Sequence, residues 1–100
     1  MVFIHSVYFW LKEGLTTTQV EDFKKGLGSL TTISSVRQSY IGVPAETDRE
    51  VIDKTYSYAL IAIFDDLAGH DQYQHDPVHN QFREQCSGYW SKVLIYDAKE

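Results

Sequence analysis

The sequence predicts one α+β domain with four strands and two helical regions, in the order β-α-β-β-α-β. Three observations support this prediction. A chain of 100 residues has the length of a single domain, so residues 1–100 form one unit. Four segments are rich in β-branched and aromatic residues, as strands are. Two other segments carry apolar residues at helical spacing, and they separate the first strand from the second and the third from the fourth.

The sequence marks some strands more strongly than others. In the first strand, VFIHSVYFWL, odd and even positions are both largely apolar, which predicts that both faces of the sheet are covered. The strongest strand is TYSYALIAIF, and the polar stretch before it, residues 44–54, is predicted to be a surface loop. The four predicted strands cover residues 2–11, 36–43, 55–64 and 92–97.

The helices are predicted from their start signals. A capping box at Thr18-Gln19-Val20-Glu21 is predicted to begin the first helix. A short second helix is predicted over about residues 67–74. Asp76 and Pro77 are predicted to begin a further helical segment, because a carboxylate caps a helix start and proline fits its first position. The apolar face of the first helix consists of Val20, Phe23, Leu27 and Leu30.

This order of elements is that of a ferredoxin-like fold with a four-stranded antiparallel sheet. The helices can cover one face of such a sheet, while the other face also carries apolar residues such as Trp10. A second copy of the chain can cover that face. We therefore predict a homodimer whose sheets pack face to face as a dimeric α/β barrel, which also removes exposed strand edges.

Composition excludes several classes of partner. The chain carries 9 basic and 14 acidic residues, for a formal net charge of −5, and its basic residues are scattered. No nucleic acid and no membrane is therefore predicted as a partner. The apolar start of the chain is short and lacks a basic leader, which argues against a signal peptide. The single Cys86 suits a reducing compartment, so a cytoplasmic location is predicted.

The stretch YQHDPVHNQF, residues 73–82, holds the strongest candidates for chemistry. His79 is predicted in the first turn of a helix, where the helix dipole disfavours imidazolium and leaves a neutral ring able to accept a proton. Tyr73 precedes the helix break, where its hydroxyl can reach the neighbourhood of His79. The alternatives are a solvent-exposed His79 and a core Tyr73 whose hydroxyl bonds the backbone.

Two further polar residues lie in apolar strands. If His5 faces the helices, it is a polar group in apolar surroundings and needs a hydrogen-bond partner. The alternative is a half-exposed histidine bonded to the backbone. Asp97 ends the last strand and is predicted to bond a histidine or a neighbouring backbone group.

No metal site and no cofactor is predicted. His75 and His79 are four residues apart, as metal-binding pairs on helices are, but Pro77 between them disrupts the regular geometry. No third ligand lies at a diagnostic spacing. His70 is predicted to be an exposed helix residue, and Cys86 a core residue.

Four segments, taken in their order and spacing, resemble the stress-responsive dimeric α/β-barrel (Dabb) domain family. The third of them is similar to the family's motif of Tyr, two spacers and His-Pro-x-His before a Phe, with Asp76 in place of the first histidine. The resemblance implies a ferredoxin-like protomer that dimerises through its sheets into a barrel. The segments are His5-Ser6-Val7-Tyr8-Phe9, Tyr58-Ala59-Leu60, residues 73–82 and Val93-Leu94-Ile95-Tyr96-Asp97.

Within that family the chain is similar to olivetolic acid cyclase-like proteins, in which a histidine base closes a linear polyketide by an aldol reaction. The resemblance implies that His79 is the base and Tyr73 the hydroxyl donor. It also implies that His5 lines the pocket and that Asp97 orients His79. Leu27 and Tyr58 stand where the cyclase has a tyrosine and a histidine, so the ligand should differ. The implied ligand pocket consists of Val7, Phe9, Phe23, Leu27, Tyr58, Leu60, Phe82 and Trp90.

Three functional hypotheses follow. The first is a cofactor-independent enzyme of lyase or cyclase type that acts on a small apolar or carbonyl-containing molecule, with His79, Tyr73, His5 and Asp97 as catalytic residues. The second is a non-catalytic dimer that binds a small molecule or has a structural role in stress. The third is a cofactor-free monooxygenase. The first requires the four residues to converge on a cavity, while the second does not.

Overall fold

A four-stranded antiparallel sheet in the order β2-β3-β1-β4 forms one layer of the computed structural model, which describes residues 1–100. Three helices and a 3₁₀ turn complete the predicted ferredoxin-like order. The strands are β1 (Phe3–Leu11), β2 (Gln38–Gly42), β3 (Tyr58–Phe64) and β4 (Trp90–Lys99). The helices are α1 (Thr17–Leu30), α2 (Leu67–His75) and α3 (Pro77–Cys86), with the 3₁₀ turn at Ser87–Tyr89.

The observed strand bounds all differ somewhat from the prediction: the first strand begins one residue later, the second is Gln38–Gly42 where 36–43 was predicted, and the differences in the third and fourth have identifiable reasons. The third strand begins at Tyr58 instead of residue 55, and the backbone N–H and the hydroxyl of Thr55 donate hydrogen bonds to the carboxylate of Asp53 instead of pairing with a strand. The last strand runs from Trp90 to Lys99, beyond the predicted 92–97, because it pairs with β1 along nearly its whole length. Pairing with a neighbour thus extends a strand through polar residues that local propensity would end.

The start of α1 was predicted two residues too late. Thr16 is the N-cap, and its hydroxyl accepts a hydrogen bond from the backbone N–H of Gln19 at 3.1 Å. The side chain of Gln19 accepts a hydrogen bond from the backbone N–H of Thr16 at 2.8 Å, which completes the capping box. Thr18 and Glu21 fit the same pattern, but the earlier box gives the helix two more residues.

The restart of the chain at Asp76 is confirmed. The carboxylate of Asp76 accepts a hydrogen bond from the backbone N–H of Val78 at 2.8 Å, and Pro77 occupies the first position of α3. The backbone of Asp76 is extended, which ends α2 and changes the chain direction between the two helices. This break determines where the first turn of α3 lies relative to the end of α2.

The core lies between the sheet and the helices. On β1 the odd positions Phe3, His5, Val7 and Phe9 are buried, so this face of the strand is the one that the helices cover. Gly26 of α1 lies against α3, where a Cβ atom on this glycine would stand 2.6 Å from the sulfur of Cys86. The other large buried side chains are Phe23, Leu27, Leu30, Ile33, Leu60, Phe64, Tyr73 and Phe82.

The opposite face of the sheet has no helix over it. It carries an aromatic group in which Tyr8 contacts both Tyr56 and Tyr96, while Trp10 contacts Tyr56. Tyr96 is 62% exposed and Tyr40 is 59% exposed, so this face carries large aromatic side chains in contact with solvent. The molecule measures 38 × 34 × 17 Å, and its shortest dimension is that of one sheet packed against one layer of helices. None of its helices combines the length and apolar character needed to cross a membrane.

Candidate functional site

A cavity of about 220 Å³ lies between the helix-facing side of β1 and β4 and the helices α2 and α3. Most of its wall is apolar, and its polar groups come from β1, from the end of α2 and from α3. Its rim on β4 is formed by Val93 and Ile95, which are 40% and 47% exposed. The lining residues are His5, Val7, Phe9, Tyr73, Gln74, His79, Phe82, Arg83, Trp90, Val93 and Ile95.

His5 and Asp97 face each other across neighbouring strands. The register of β1 with β4 pairs them directly, and Nδ1 of His5 donates a hydrogen bond to the carboxylate of Asp97 at 2.5 Å. Asp97 was predicted to orient His79, and that prediction was wrong because cross-strand pairing commits the carboxylate to His5. Since Nδ1 is occupied, Nε2 is the nitrogen of His5 that remains available to the cavity.

Burial keeps the His5 ring neutral. His5 is 2% exposed, and loss of solvation lowers the pKa of its imidazole below the usual value. The hydrogen bond and the charge of Asp97 raise this pKa, and the smaller effect of His70 lowers it. The net result is a lowered pKa, so the carboxylate orients the ring without charging it at neutral pH.

His79 and Tyr73 meet at the break between α2 and α3. Their rings pack edge to face with centroids 5.0 Å apart, and the Tyr73 ring also lies 5.6 Å from that of His5. Burial lowers the pKa of His79, and the nearby Arg83 guanidinium lowers it further. Burial raises the pKa of Tyr73, so its hydroxyl stays protonated and can donate a hydrogen bond. Nδ1 of His79 is buried without a hydrogen-bond partner.

The structure thus brings three of the four predicted catalytic side chains, His5, Tyr73 and His79, to one cavity. Asp97 stands behind His5 and does not line it. Of the predicted pocket residues, Val7, Phe9, Phe82 and Trp90 line the cavity. Phe23, Leu27 and Leu60 are instead core residues that are at most 1% exposed, and Tyr58 packs against that core, because α1 lies directly over the sheet there.

His70 is the residue whose position the sequence prediction missed. It was predicted to be exposed, yet its side chain is 12% exposed and its ring stacks on Phe3 with centroids 4.6 Å apart. Its spacing of three from Tyr73 places both on one helix face, which is a signal that the sequence contained. Arg83 was also missed, although it lies four residues after His79 and therefore on the same face of α3.

His70 creates a group of possible metal ligands next to the cavity. One ligand atom each from His5, His70 and Asp97 lies within 4.8 Å of the others. Nε2 of His70 lies 4.0 Å from the second carboxylate oxygen of Asp97, too far for a hydrogen bond. The three residues come from β1, α2 and β4, so no spacing along the sequence could have shown the group.

Comparisons with known proteins agree with this fold. The model of the family described as "Stress responsive A/B Barrel Domain" matches residues 3–100. A dimeric ferredoxin-like protein of unknown function from Thermobifida fusca is 21% identical, with a TM-score of 0.79, and the match covers 100% of this chain and 92% of that one. Among proteins with curated descriptions, no significant sequence match was found.

Two further solved structures have the same fold. A Dabb family protein from Mesorhizobium loti is 22% identical, with a TM-score of 0.79 over 99% of this chain and 96% of that chain. The hydroxynitrile lyase from Passiflora edulis is 17% identical, with a TM-score of 0.78 over 97% of this chain and 91% of that chain. At these identities the similarity establishes the fold.

Proposed function

The chain belongs to the stress-responsive A/B barrel domain family, and from this premise we propose that it is a homodimer that binds a small carbonyl-containing molecule and performs acid–base chemistry on it. The reaction class is lyase-like or cyclase-like and needs no cofactor. The observation that carries this proposal is the convergence of His79, Tyr73 and His5 on one largely apolar cavity.

His79 is the base in this proposal. Its pKa is lowered by burial and by Arg83, so the ring is neutral at pH 7 and can accept a proton. The proton comes from a carbon next to the carbonyl group of the ligand. When that C–H bond breaks, its electron pair moves to form the enolate and the negative charge develops on the carbonyl oxygen. The positively charged imidazolium that results lies close to this enolate.

Tyr73 stabilises the developing oxyanion. Its raised pKa keeps the hydroxyl protonated at neutral pH. Tyr73 therefore acts as a hydrogen-bond donor to the oxyanion and does not give up its proton. The ring is 1% exposed and packs against Phe64, so its hydroxyl is held in one place. A fixed donor in apolar surroundings favours a charge that appears only in the transition state.

His5 orients the ligand. Because its Nδ1–H is bonded to Asp97, its Nε2 carries a lone pair and accepts a hydrogen bond. This arrangement suits a hydroxyl group on the same ligand whose carbonyl group is held by Tyr73. Phe82 and Trp90, whose rings stack with centroids 5.6 Å apart, supply an apolar wall for an aromatic or alkyl portion of the same molecule.

A relative of the same fold supports an enzymatic role. The protein from Passiflora edulis is a hydroxynitrile lyase, so a protein with this fold can act as a lyase. Non-catalytic ligand binding by the same cavity is the second candidate, and its support is that apolar side chains form most of the cavity wall. We place either function in the cytoplasm, since the lone Cys86 needs no oxidising environment.

Dimerisation is part of the proposal. The helix-free face exposes Tyr40 and Tyr96 and carries the aromatic group around Tyr8, all of which a second sheet would cover. Solved relatives of this fold are described as dimeric. A face-to-face dimer leaves the cavity accessible, because the cavity lies on the helix side of the sheet.

The test of function is proton exchange at carbon. The protein is incubated in D₂O with a 1,2-diketone that also carries a hydroxyl group, 1-(4-hydroxyphenyl)propane-1,2-dione, and loss of the signal of the methyl protons next to the carbonyl is followed by NMR. We expect His79→Ala to slow the catalysed exchange by about 100-fold or more, in line with a lost general base. Tyr73→Phe should slow it by about 100-fold as well, since one oxyanion donor is removed.

The control is His75→Ala, which removes an exposed imidazole from the helix that carries Tyr73. It should leave the exchange rate unchanged. Binding of the same diketone is measured in parallel from its effect on the melting temperature. If wild type binds the diketone without exchange, the non-catalytic function is supported. Equal exchange by wild type and His79→Ala would refute the proposed base.

A further inference from the structure

The geometry points to a second site in this chain, a divalent transition-metal site formed by His5, His70 and Asp97. The three side chains come from different elements, yet one ligand atom of each lies within 4.8 Å of the others. Neither the proposed acid–base mechanism nor the packing of the core requires an imidazole at position 70. An apolar residue would pack on Phe3 equally well.

The surroundings of His70 prepare its Nε2 to act as a ligand. Nδ1 lies 3.3 Å from the carboxylate of Asp71, to which only an N–H can donate. The side-chain amide nitrogen of Gln74 lies 3.1 Å from Nε2 and donates to it, which requires a lone pair on Nε2. The neutral tautomer with its proton on Nδ1 satisfies both contacts, and a metal ion bound at Nε2 takes the place of the hydrogen bond from Gln74. A carboxylate behind a histidine, as Asp71 is here, is the usual outer partner of a metal-binding imidazole.

The separations fit a metal after small side-chain movements. A tetrahedral ion with bonds of about 2.1 Å needs ligand atoms about 3.4 Å apart. Nδ1 of His5 lies 2.5 Å from one carboxylate oxygen of Asp97, and Nε2 of His70 lies 4.0 Å from the other, one shorter and one longer than this value. The Asp97 side chain is 38% exposed on an edge strand and can rotate to equalise them.

The donor set selects the type of ion. Two imidazole nitrogens and one carboxylate oxygen suit Zn²⁺ and its neighbours, whereas Mg²⁺ and Ca²⁺ prefer oxygen ligands throughout. Because the Asp97 side is open to solvent, a water molecule can occupy the fourth position. Three protein ligands and one open position make an exchangeable site and not a closed structural one.

Metal binding changes what His5 presents to the cavity, a consequence that rests on the proposed function. A metal on Nδ1 takes the place of the proton there, and the neutral ring then carries its proton on Nε2. Nε2 changes from an acceptor to a donor, so a ligand hydroxyl loses its acceptor. Zn²⁺ should therefore inhibit the diketone exchange without involving His79.

The experiment is isothermal titration of the purified protein with ZnCl₂, and Co²⁺ absorption spectra serve as a second readout. We expect one Zn²⁺ per chain. His70→Leu should weaken binding by about 100-fold or more, and Asp71→Asn, which only removes the outer partner, by about 10-fold. His75→Ala and His79→Ala should bind Zn²⁺ as wild type does.

The site is refuted if wild type takes up no Zn²⁺, if His70→Leu binds it equally well, or if His75→Ala lowers the affinity. Melting curves without metal show whether His70→Leu is folded. If His70→Leu is unfolded, the Zn²⁺ affinity of Asp71→Asn, a substitution at an exposed residue, tests the site instead. His79→Ala separates the two proposals. If His79→Ala loses diketone exchange and still binds Zn²⁺, both the proposed function and the metal site are supported. If wild type itself shows no exchange, the proposed function fails, and the zinc titration still tests the metal site by itself.

Discussion

Asp97 accepts a hydrogen bond from Nδ1 of His5 at 2.5 Å, across the pair of neighbouring strands β1 and β4. This contact makes His5, and not His79, the histidine that a carboxylate orients. It also gives the two imidazoles of the cavity different surroundings. His5 has one nitrogen committed and one free, while His79 depends on burial and on Arg83 for its neutral state. The two imidazoles are therefore separable by mutation.

Asp97→Asn should lower the pKa of His5 further. The carboxylate raises this pKa through its hydrogen bond and its charge, and the amide removes the charge, so the lowering by burial and by His70 is opposed less. NMR titration of the histidine ring protons measures the change. Asp71→Asn is the control, because it removes an equal charge from α2 next to His70 and not next to His5. A higher or unchanged His5 pKa in Asp97→Asn would contradict the assigned contact.

The free energy of unfolding should fall as the pH is lowered below about 6.5, the pKa of an unperturbed histidine. His5 and His79 have lowered pKa values in the folded state, so in this range the unfolded chain binds more protons than the folded chain. By linkage, stability is then present above pH 6.5 and lost on acidification. Urea unfolding at pH 7.5 and pH 5.0 measures the difference.

Replacing one of these imidazoles tests the assignment. His79→Leu should show a smaller loss of stability between pH 7.5 and pH 5.0 than wild type. His75→Leu removes an imidazole from an exposed position outside the cavity and should keep the wild-type loss. If His79→Leu retains the full pH dependence, burial of His79 is not its source.

Two glycines of α1 should respond in opposite directions to alanine. At Gly26 a Cβ would stand 2.6 Å from the sulfur of Cys86 and 3.2 Å from the ring of Phe82, so we expect Gly26→Ala to destabilise by about 1–2 kcal/mol. At Gly28 a Cβ meets nothing within 4 Å, and Gly28→Ala should stabilise by about 0.5–1 kcal/mol through helix propensity. Denaturant unfolding measures both.

The pair Gly26 and Cys86 can be separated by a double-mutant cycle. In a Cys86→Ala background the sulfur is absent, and Gly26→Ala should cost less there than in wild type. Equal costs in the two backgrounds would show that the close contact between α1 and α3 does not determine the effect.

The sequence predicted the fold because its signals are local. Alternation on β1, the capping pattern of α1 and the Asp76-Pro77 break each specify one element, and six elements in this order leave few arrangements. The choice of Thr16 over Thr18 as the cap could not be made locally, because both fit the same pattern. In the structure the capping box of Thr16 and Gln19 is the one that forms.

The site was predictable to the extent that its residues are close in the chain. Tyr73 and His79 flank one helix break, and their meeting follows from the cap at Asp76. The partner of Asp97 depends on the register of β1 with β4, and the position of His70 depends on how α2 lies on the sheet. Both are long-range relationships that a single sequence does not encode in its spacing.

Asp76→Ala should destabilise the fold by about 1 kcal/mol. The carboxylate accepts a hydrogen bond from the N–H of Val78, and without it the first turn of α3 has one more unsatisfied donor. Because His79 lies in that turn, diketone exchange should fall together with stability. Asp76→Asn is the conservative control, since asparagine is also a good N-cap. If Asp76→Ala unfolds at the same urea concentration as wild type, the cap contributes nothing.

The proposed dimer depends on the helix-free face, so a charge placed there should dissociate it. Tyr96 is 62% exposed in the single chain and packs near Tyr8, with ring centroids 6.4 Å apart. Wild type should scatter light as twice the 11.5 kDa chain mass at micromolar concentration. Tyr96→Asp should shift this toward the monomer mass, because an unpaired carboxylate is costly to bury between two sheets.

A matched substitution outside that face distinguishes dissociation from general damage. Leu67 is 59% exposed at the first residue of α2, and Leu67→Asp adds the same charge on the helix side of the sheet. It should leave the dimer intact. A wild-type mass equal to one chain would overturn the dimer outright, while a dimer that survives Tyr96→Asp would move the interface away from the helix-free face. Since the cavity lies on the helix side, a folded Tyr96→Asp monomer should still bind the diketone.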